Sequence, residues 1–164
     1  MKVLYYGGQK SGKSRLAEAH ALALTYDQKP HYIATYDRSY ADEEMAQRIA
    51  RHQAERRERF ISVEEPFELP LVIGERGTYL IDCLSMWIFN TLDVEIEELY
   101  AQLNTLASRD ANILFVLNEV NSGIIPMDPE SRAFVDRTGM VGQWVASLCD
   151  EVYEVKLGLP RRLK

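Results

Sequence analysis

Cysteine is scarce: Cys83 and Cys149 are the only two, far apart in the chain and each set among apolar residues. That spacing builds neither a disulfide framework nor a Cys/His zinc cluster, and it predicts two small buried thiols in a reducing compartment. No apolar run approaches the length of a membrane span. A first strand that starts at residue 3 leaves no basic segment followed by an apolar stretch, so no secretory signal is expected and the cytoplasm is the default setting. Positive charge is also short, with 19 Lys and Arg against 25 Asp and Glu, for a net charge of −6. Nonspecific nucleic-acid binding needs a broad basic surface and is therefore not expected. Internal repeats and low-complexity linkers are missing as well. What remains is 164 residues, 46% hydrophobic and 27% charged, the proportions of a soluble globular protein. That length suits one domain with a sizeable core and is too short for two, so residues 1–164 are expected to form a single domain.

The most informative stretch runs from Val3 to Ser14. An apolar strand, Val3-Leu4-Tyr5-Tyr6, feeds directly into Gly7-Gly8-Gln9-Lys10-Ser11-Gly12-Lys13-Ser14, which fits the pattern G-x-x-x-x-G-K-[ST]. A triphosphate is a dense anion, and backbone N–H groups at a helix N-terminus suit it, because unpaired donors and the macrodipole both favour negative charge. The glycines let the backbone wrap closely. Lys13 is placed to reach the outer phosphates, Ser14 to give one oxygen to Mg²⁺, and Gln9 and Ser11 to add polar lining. The pattern also occurs by chance as a glycine-rich turn. Here the strand before it and the helix formers from Arg15 to Leu24 after it supply the context that the motif needs.

Further along, Tyr26 to Pro30 reads as a turn and His31 to Tyr36 as a second strand, with Thr35-Tyr36-Asp37 at its carboxyl end, where ligands gather. His31, just past the turn, is expected to be solvated. Asp42 to Phe60 is expected to be a charged helix, acidic in its first turn and arginine-rich in its last. Ile61 to Pro66 reads as a short strand, and Phe67 to Ile73 as a weak helix or a loop. Thr78-Tyr79-Leu80-Ile81-Asp82-Cys83 is an apolar strand ending in a carboxylate, the form of a Walker B strand whose Asp82 helps hold Mg²⁺. Helices are predicted over Leu84–Asn90 and Val94–Ser108, with Trp87 and Phe89 as core residues. A buried strand follows over Ala111–Leu117, ending at Asn118-Glu119. After a loop, Asp128 caps a helix with Pro129 at its first position, running towards Cys149 with Gly139 and Gly142 as candidate breaks. Glu151–Lys156 is expected to be the last strand, and Arg161-Arg162-Leu163-Lys164 a frayed basic tail. This alternation of strands and helices predicts an α/β P-loop fold, a mostly parallel sheet with helices on both faces.

His52 is the second chemical candidate. On a helix, Arg48, His52 and Arg56 share one face, and nearby guanidinium groups disfavour the imidazolium form. A neutral ring could attack phosphorus while the arginines neutralise the developing charge. Periodicity alone favours a solvated face with a bystander histidine.

Taken together, these segments resemble the bifunctional adenosylcobinamide kinase/adenosylcobinamide-phosphate guanylyltransferase family of cobalamin biosynthesis, nearly from end to end. The resemblance rests on Gly7 to Ser14, Tyr32-Ile33-Ala34-Thr35, Asp42 to His52 with Arg56, Val63-Glu64-Glu65-Pro66 and Asp82 to Trp87. It continues through Asn118-Glu119-Val120 with Gly123-Ile124-Ile125-Pro126, and Asp150-Glu151-Val152 with Gly158-Leu159-Pro160. It implies a RecA-like P-loop fold, assembled as a homotrimer, that performs two steps. A nucleoside triphosphate, ATP or GTP, phosphorylates adenosylcobinamide. GMP is then transferred from GTP to the new phosphate, giving adenosylcobinamide-GDP and pyrophosphate. The resemblance makes His52 the carrier of GMP and places Gln53, Ala54, Glu55, Arg56, Ala34, Thr35, Tyr36, Glu64 and Asp82 around the guanine nucleotide. The chain departs from the family pattern at Gly139-Met140-Val141-Gly142-Gln143, which lacks an arginine and an asparagine and bears on cobinamide or subunit contacts. Two rival readings stand beside it: a small-molecule kinase with a single activity, and a non-catalytic nucleotide-binding module.

Overall fold

The computed structural model describes residues 1–25, 28–37 and 58–164. Seven strands form one sheet: β1 (Lys2–Gly7), β2 (His31–Ala34), β3 (Ile61–Glu64), β4 (Thr78–Asp82), β5 (Asn112–Asn118), β6 (Glu151–Lys156) and β7 (Leu159–Arg162). Their order is β3-β2-β4-β5-β1-β6-β7, parallel throughout except for the antiparallel pair β6 and β7. The helices are α1 (Lys13–Ala23), the single turn α2 (Leu69–Val72), α3 (Leu84–Asn90), α4 (Ile96–Ser108) and α5 (Pro129–Leu148). No helix among the described residues is long and apolar enough to cross a membrane.

Alternation along the central strands divides the core in two. Val3 and Tyr5 of β1, Leu80 of β4, and Leu114 and Val116 of β5 face Ala17 and Ala21 of α1. Their neighbours Leu4, Ile81, Ile113 and Phe115 belong to the opposite layer, with Trp87 of α3, Leu99, Leu103 and Leu106 of α4, and Val141 and Val145 of α5. Strands buried on both faces read as the continuous apolar runs seen in the sequence. The predicted α/β sheet with helices on both faces is therefore present.

Several expectations need correction. The basic tail is not frayed: Leu159–Arg162 is a seventh strand, and β6 is not the last. Glu154 pairs with Lys156 and Arg161, Glu151 pairs with Arg162, and Leu163 N donates to Val152 O at 2.8 Å. α5 is not broken at its glycines. A Cβ on Gly142 would come within 3.1 Å of Leu117 Cδ2 and one on Gly139 within 3.1 Å of Asn121 Nδ2, so close packing accounts for both. β2 ends at Ala34 rather than Tyr36, and Glu58-Arg59 is a turn rather than the end of a helix. Nor is His31 solvated: it is half-buried and stacks on Tyr79 with centroids 4.9 Å apart. Both cysteines are free thiols, Cys149 buried and Cys83 partly exposed. The rest of the predicted charged helix, up to residue 57, lies outside the described residues, as do residues 26–27 of the predicted turn.

Candidate nucleotide site

The carboxyl ends of the parallel strands all open on one end of the sheet, and the loop from Gly7 to Ser14 sits at its centre. Gly7 closes β1 opposite Asn118 of β5. Residues 8–12 then turn through two left-handed positions, Lys10 at φ 57° and Gly12 at φ 98°, before α1 begins at Lys13. Gly12 therefore suits a position that disfavours a side chain. Ser11 N donates to Gly8 O at 3.1 Å, while Gln9 and Lys10 stand exposed.

Lys13 is drawn inward, only 6% exposed, with Nζ donating to Gly8 O at 3.0 Å. Burial pushes its pKa below the usual lysine range, and the negative charge of Asp82, with Cys83 behind it, pulls the other way. A buried cation at the foot of a glycine loop is suited to a phosphate chain.

Ser14, in the first turn of α1, points its hydroxyl at Asp82 Oδ1, 3.3 Å away. The other carboxylate oxygen, Oδ2, accepts from Tyr32 OH at 2.6 Å. Sequence reasoning paired Ser14 with Asp82 but missed Tyr32. Its place in the strand, three residues before the polar end, was the available signal. A hydroxyl and a carboxylate are hard oxygen donors of the kind that hold Mg²⁺ while it keeps several waters. Among the described residues no group of three His, Cys, Asp or Glu gathers, and this mode of binding needs none.

The remaining candidates divide. Glu64, Ala34 and Asp82 lie in register across β3, β2 and β4, which brings them to one edge of the site. Tyr36 follows, half-buried. Thr35 is fully buried, and its hydroxyl is engaged with Cys83: it donates to the carbonyl at 2.7 Å and accepts from the N–H at 3.2 Å, beside the cis peptide joining Asp82 to Cys83. Thr35 thus shapes the turn after β4. His52, Gln53, Ala54, Glu55 and Arg56 lie outside the described residues.

One further group closes the site on the β5 side. Glu119 N donates to Gly7 O at 2.9 Å, and its carboxylate accepts from Asn121 N at 2.8 Å and Ser122 N at 2.7 Å. Burial raises the Glu119 carboxyl, but the bonds from Ser122, Asn121 and Tyr6 outweigh it and hold the group below its usual range.

The chain matches the family described as cobinamide kinase / cobinamide phosphate guanyltransferase over residues 3–163. It is 38% identical over 176 aligned residues to the bifunctional adenosylcobalamin biosynthesis protein CobP of Pseudomonas aeruginosa, covering 100% of this chain and 98% of that protein. It is 32% identical over 187 residues to CobU of Escherichia coli and 31% over 190 residues to CobU of Salmonella typhimurium, each alignment covering both proteins in full.

Proposed function

Since the chain belongs to the cobinamide kinase / cobinamide phosphate guanyltransferase family, we propose that it carries out both transfers on adenosylcobinamide. The observation that carries the kinase half is the pairing of Ser14 with Asp82, 3.3 Å apart, beside a buried Lys13 at the foot of the glycine loop. In that step the hydroxyl oxygen of cobinamide attacks the γ-phosphorus of ATP or GTP. The bond to the β-phosphate oxygen breaks, the nucleoside diphosphate leaves, and the hydroxyl proton passes to solvent or a base. The loop amides and Lys13 bind and orient the phosphates, and Ser14 and Asp82 would hold Mg²⁺, which neutralises charge on the β- and γ-oxygens.

For the second step the resemblance supports His52 as nucleophile. A neutral ring nitrogen attacks the α-phosphorus of GTP and pyrophosphate leaves. A phosphate oxygen of cobinamide phosphate then attacks the same phosphorus, freeing the histidine and forming adenosylcobinamide-GDP. Covalent catalysis of this kind gives ping-pong kinetics. Gln53, Ala54, Glu55, Arg56 and Glu64 are assigned to the guanine nucleotide on the same grounds. A homotrimer in the cytoplasm belongs to the same reading.

GTP labelled at the α-phosphate tests the assignment. The expected outcome is a label on the protein that acid removes and base does not, absent from His52→Ala. A label that persists in His52→Ala would remove the histidine's role, and no label with intact γ-phosphoryl transfer would leave a kinase only.

A further inference from the structure

The hairpin of β6 and β7 lies on the far side of β1 from the Ser14 and Asp82 pair, and it meets the phosphate loop at three backbone points, two at its tip and one at Val155 in β6. Gly158 N donates to Ser11 O at 2.8 Å. A Cβ on Gly12 would meet Gly158 Cα at 3.1 Å, so the two backbones are in direct contact. A Cβ on Gly7 would collide with the carbonyl oxygen of Val155. The tip itself has both central residues at positive φ, Leu157 at 53° and Gly158 at 79°, the geometry of a tight two-residue hairpin turn. Leu157 is 94% exposed in that conformation, which a leucine side chain disfavours, so packing of its own side chain does not explain the turn. What the turn achieves is to aim the Gly158 N–H at the loop.

The hairpin is in turn secured from behind. Tyr153 stacks on Tyr5 with centroids 5.2 Å apart, Glu151 pairs with Arg162, and Lys164 Nζ donates to Ala146 O and Ser147 O at the end of α5. A phosphate loop binds more tightly when its N–H groups converge before the ligand arrives, because ordering them on binding subtracts from affinity. We infer that the β6–β7 hairpin is the brace that preorganises the phosphate loop, with Gly158 as a positioning residue that acts through the Ser11 carbonyl. The inference rests on the proposed function only in that the loop holds a triphosphate. A chain that binds Mg·GTP but phosphorylates no cobinamide would remove the acceptor assignment and leave the brace standing.

Gly158→Ala is the test, read on the full chain with Mg·GTP and with Mg·tripolyphosphate, which lacks the nucleoside. A Cβ there would lie 3.7 Å from Arg15 Nη2, an ordinary contact, so the substitution acts through φ and turns the N–H away from Ser11. The expected result is a loss of affinity for both ligands of about three- to tenfold, the factor one net hydrogen bond supplies. KM for the nucleotide rises with it, and kcat at saturation stays within about twofold, as expected when the interaction contributes equally to ground and transition states. Affinities within twofold of wild type overturn the inference. A second measurement uses the wild-type chain alone, so that a misfolded variant cannot obscure the answer: amide exchange at Gly158 should slow on adding Mg·tripolyphosphate. Exchange there that ignores the ligand while the amides of residues 8–14 slow also overturns it.

Discussion

Replacing Lys13 by Met sets binding against stability, and the structure fixes the sign of both. Lys13 is 6% exposed, and its ammonium donates to Gly8 O at 3.0 Å. That hydrogen bond from an ion contributes about 1.5–3 kcal/mol. Against it stands the cost of keeping the ion out of water, several kcal/mol for a buried ammonium. Burial lowers the Lys13 pKa more than Asp82 raises it, so desolvation prevails over the attraction. Lys13→Met keeps the aliphatic stem and relieves the desolvation cost, while giving up the bond to Gly8 O and the attraction of Asp82; because desolvation is the larger effect, the balance runs from neutral to modestly stabilising. Taking about 0–2 kcal/mol, the melting temperature of the ligand-free variant is unchanged or raised by up to about 8 °C for a chain of this size. Mg·GTP at about 100 times its Kd adds about 2.7 kcal/mol to the wild type. That is a shift of about 5–11 °C, and the variant should show none. Thermal unfolding followed by circular dichroism, with and without Mg·GTP, gives all four numbers. A ligand-free variant destabilised by more than about 1 kcal/mol would refute the reasoning, since Lys13 would then be holding the loop rather than waiting for phosphate. An unchanged ligand shift would refute it equally.

Tyr32→Phe keeps the ring against Phe60 but removes the donor to Asp82 Oδ2. A hydrogen bond to a carboxylate sets the loss at about 1.5–3 kcal/mol in urea denaturation at neutral pH, and a loss under about 0.5 kcal/mol would show that the 2.6 Å contact contributes little. His31 has its pKa lowered from 6.5 by burial, with Nδ1 buried and without a hydrogen-bond partner. Its folded value lies below its unfolded one, so its contribution is full above pH 6.5 and is lost as pH falls from there through the folded value. His31→Phe, which keeps an aromatic ring beside Tyr79, should flatten the pH dependence of the urea midpoint in that window, and an unchanged slope would remove the cause assigned.

The parts of this fold that announced themselves were those whose local chemistry and tertiary role agree. The strand before Gly7, the glycine loop and Asp82 at the end of an apolar run are legible because phosphate binding dictates residue types at fixed spacing. Ala111–Leu117 was legible because burial on both faces demands an unbroken apolar run. β7 was not, because Leu159-Pro160-Arg161-Arg162 has the composition of a tail. Only the structure shows Pro160 opposite Val155 on an outer strand, where a missing N–H is tolerated. α5 passes through Gly139 and Gly142 because Asn121 and Leu117 press against them, a contact between segments remote in sequence. Thr35 was placed beside the nucleotide by resemblance, but its hydroxyl is engaged with the Cys83 backbone, and no spacing rule foretells that pairing. The contacts of Tyr32 and Gly158, residues that the sequence singled out only within the resemblance, escaped for the same reason: each acts on a residue more than 40 positions away.

Glu119 has a consequence of its own. Its N–H is bonded to Gly7 while its carboxylate gathers the amides of Asn121 and Ser122, so a single residue is shared by two loops that rim the same opening. Neither loop can be reshaped at that hinge without disturbing the other. A displacement at either side therefore strains the bonds that Glu119 makes on the other.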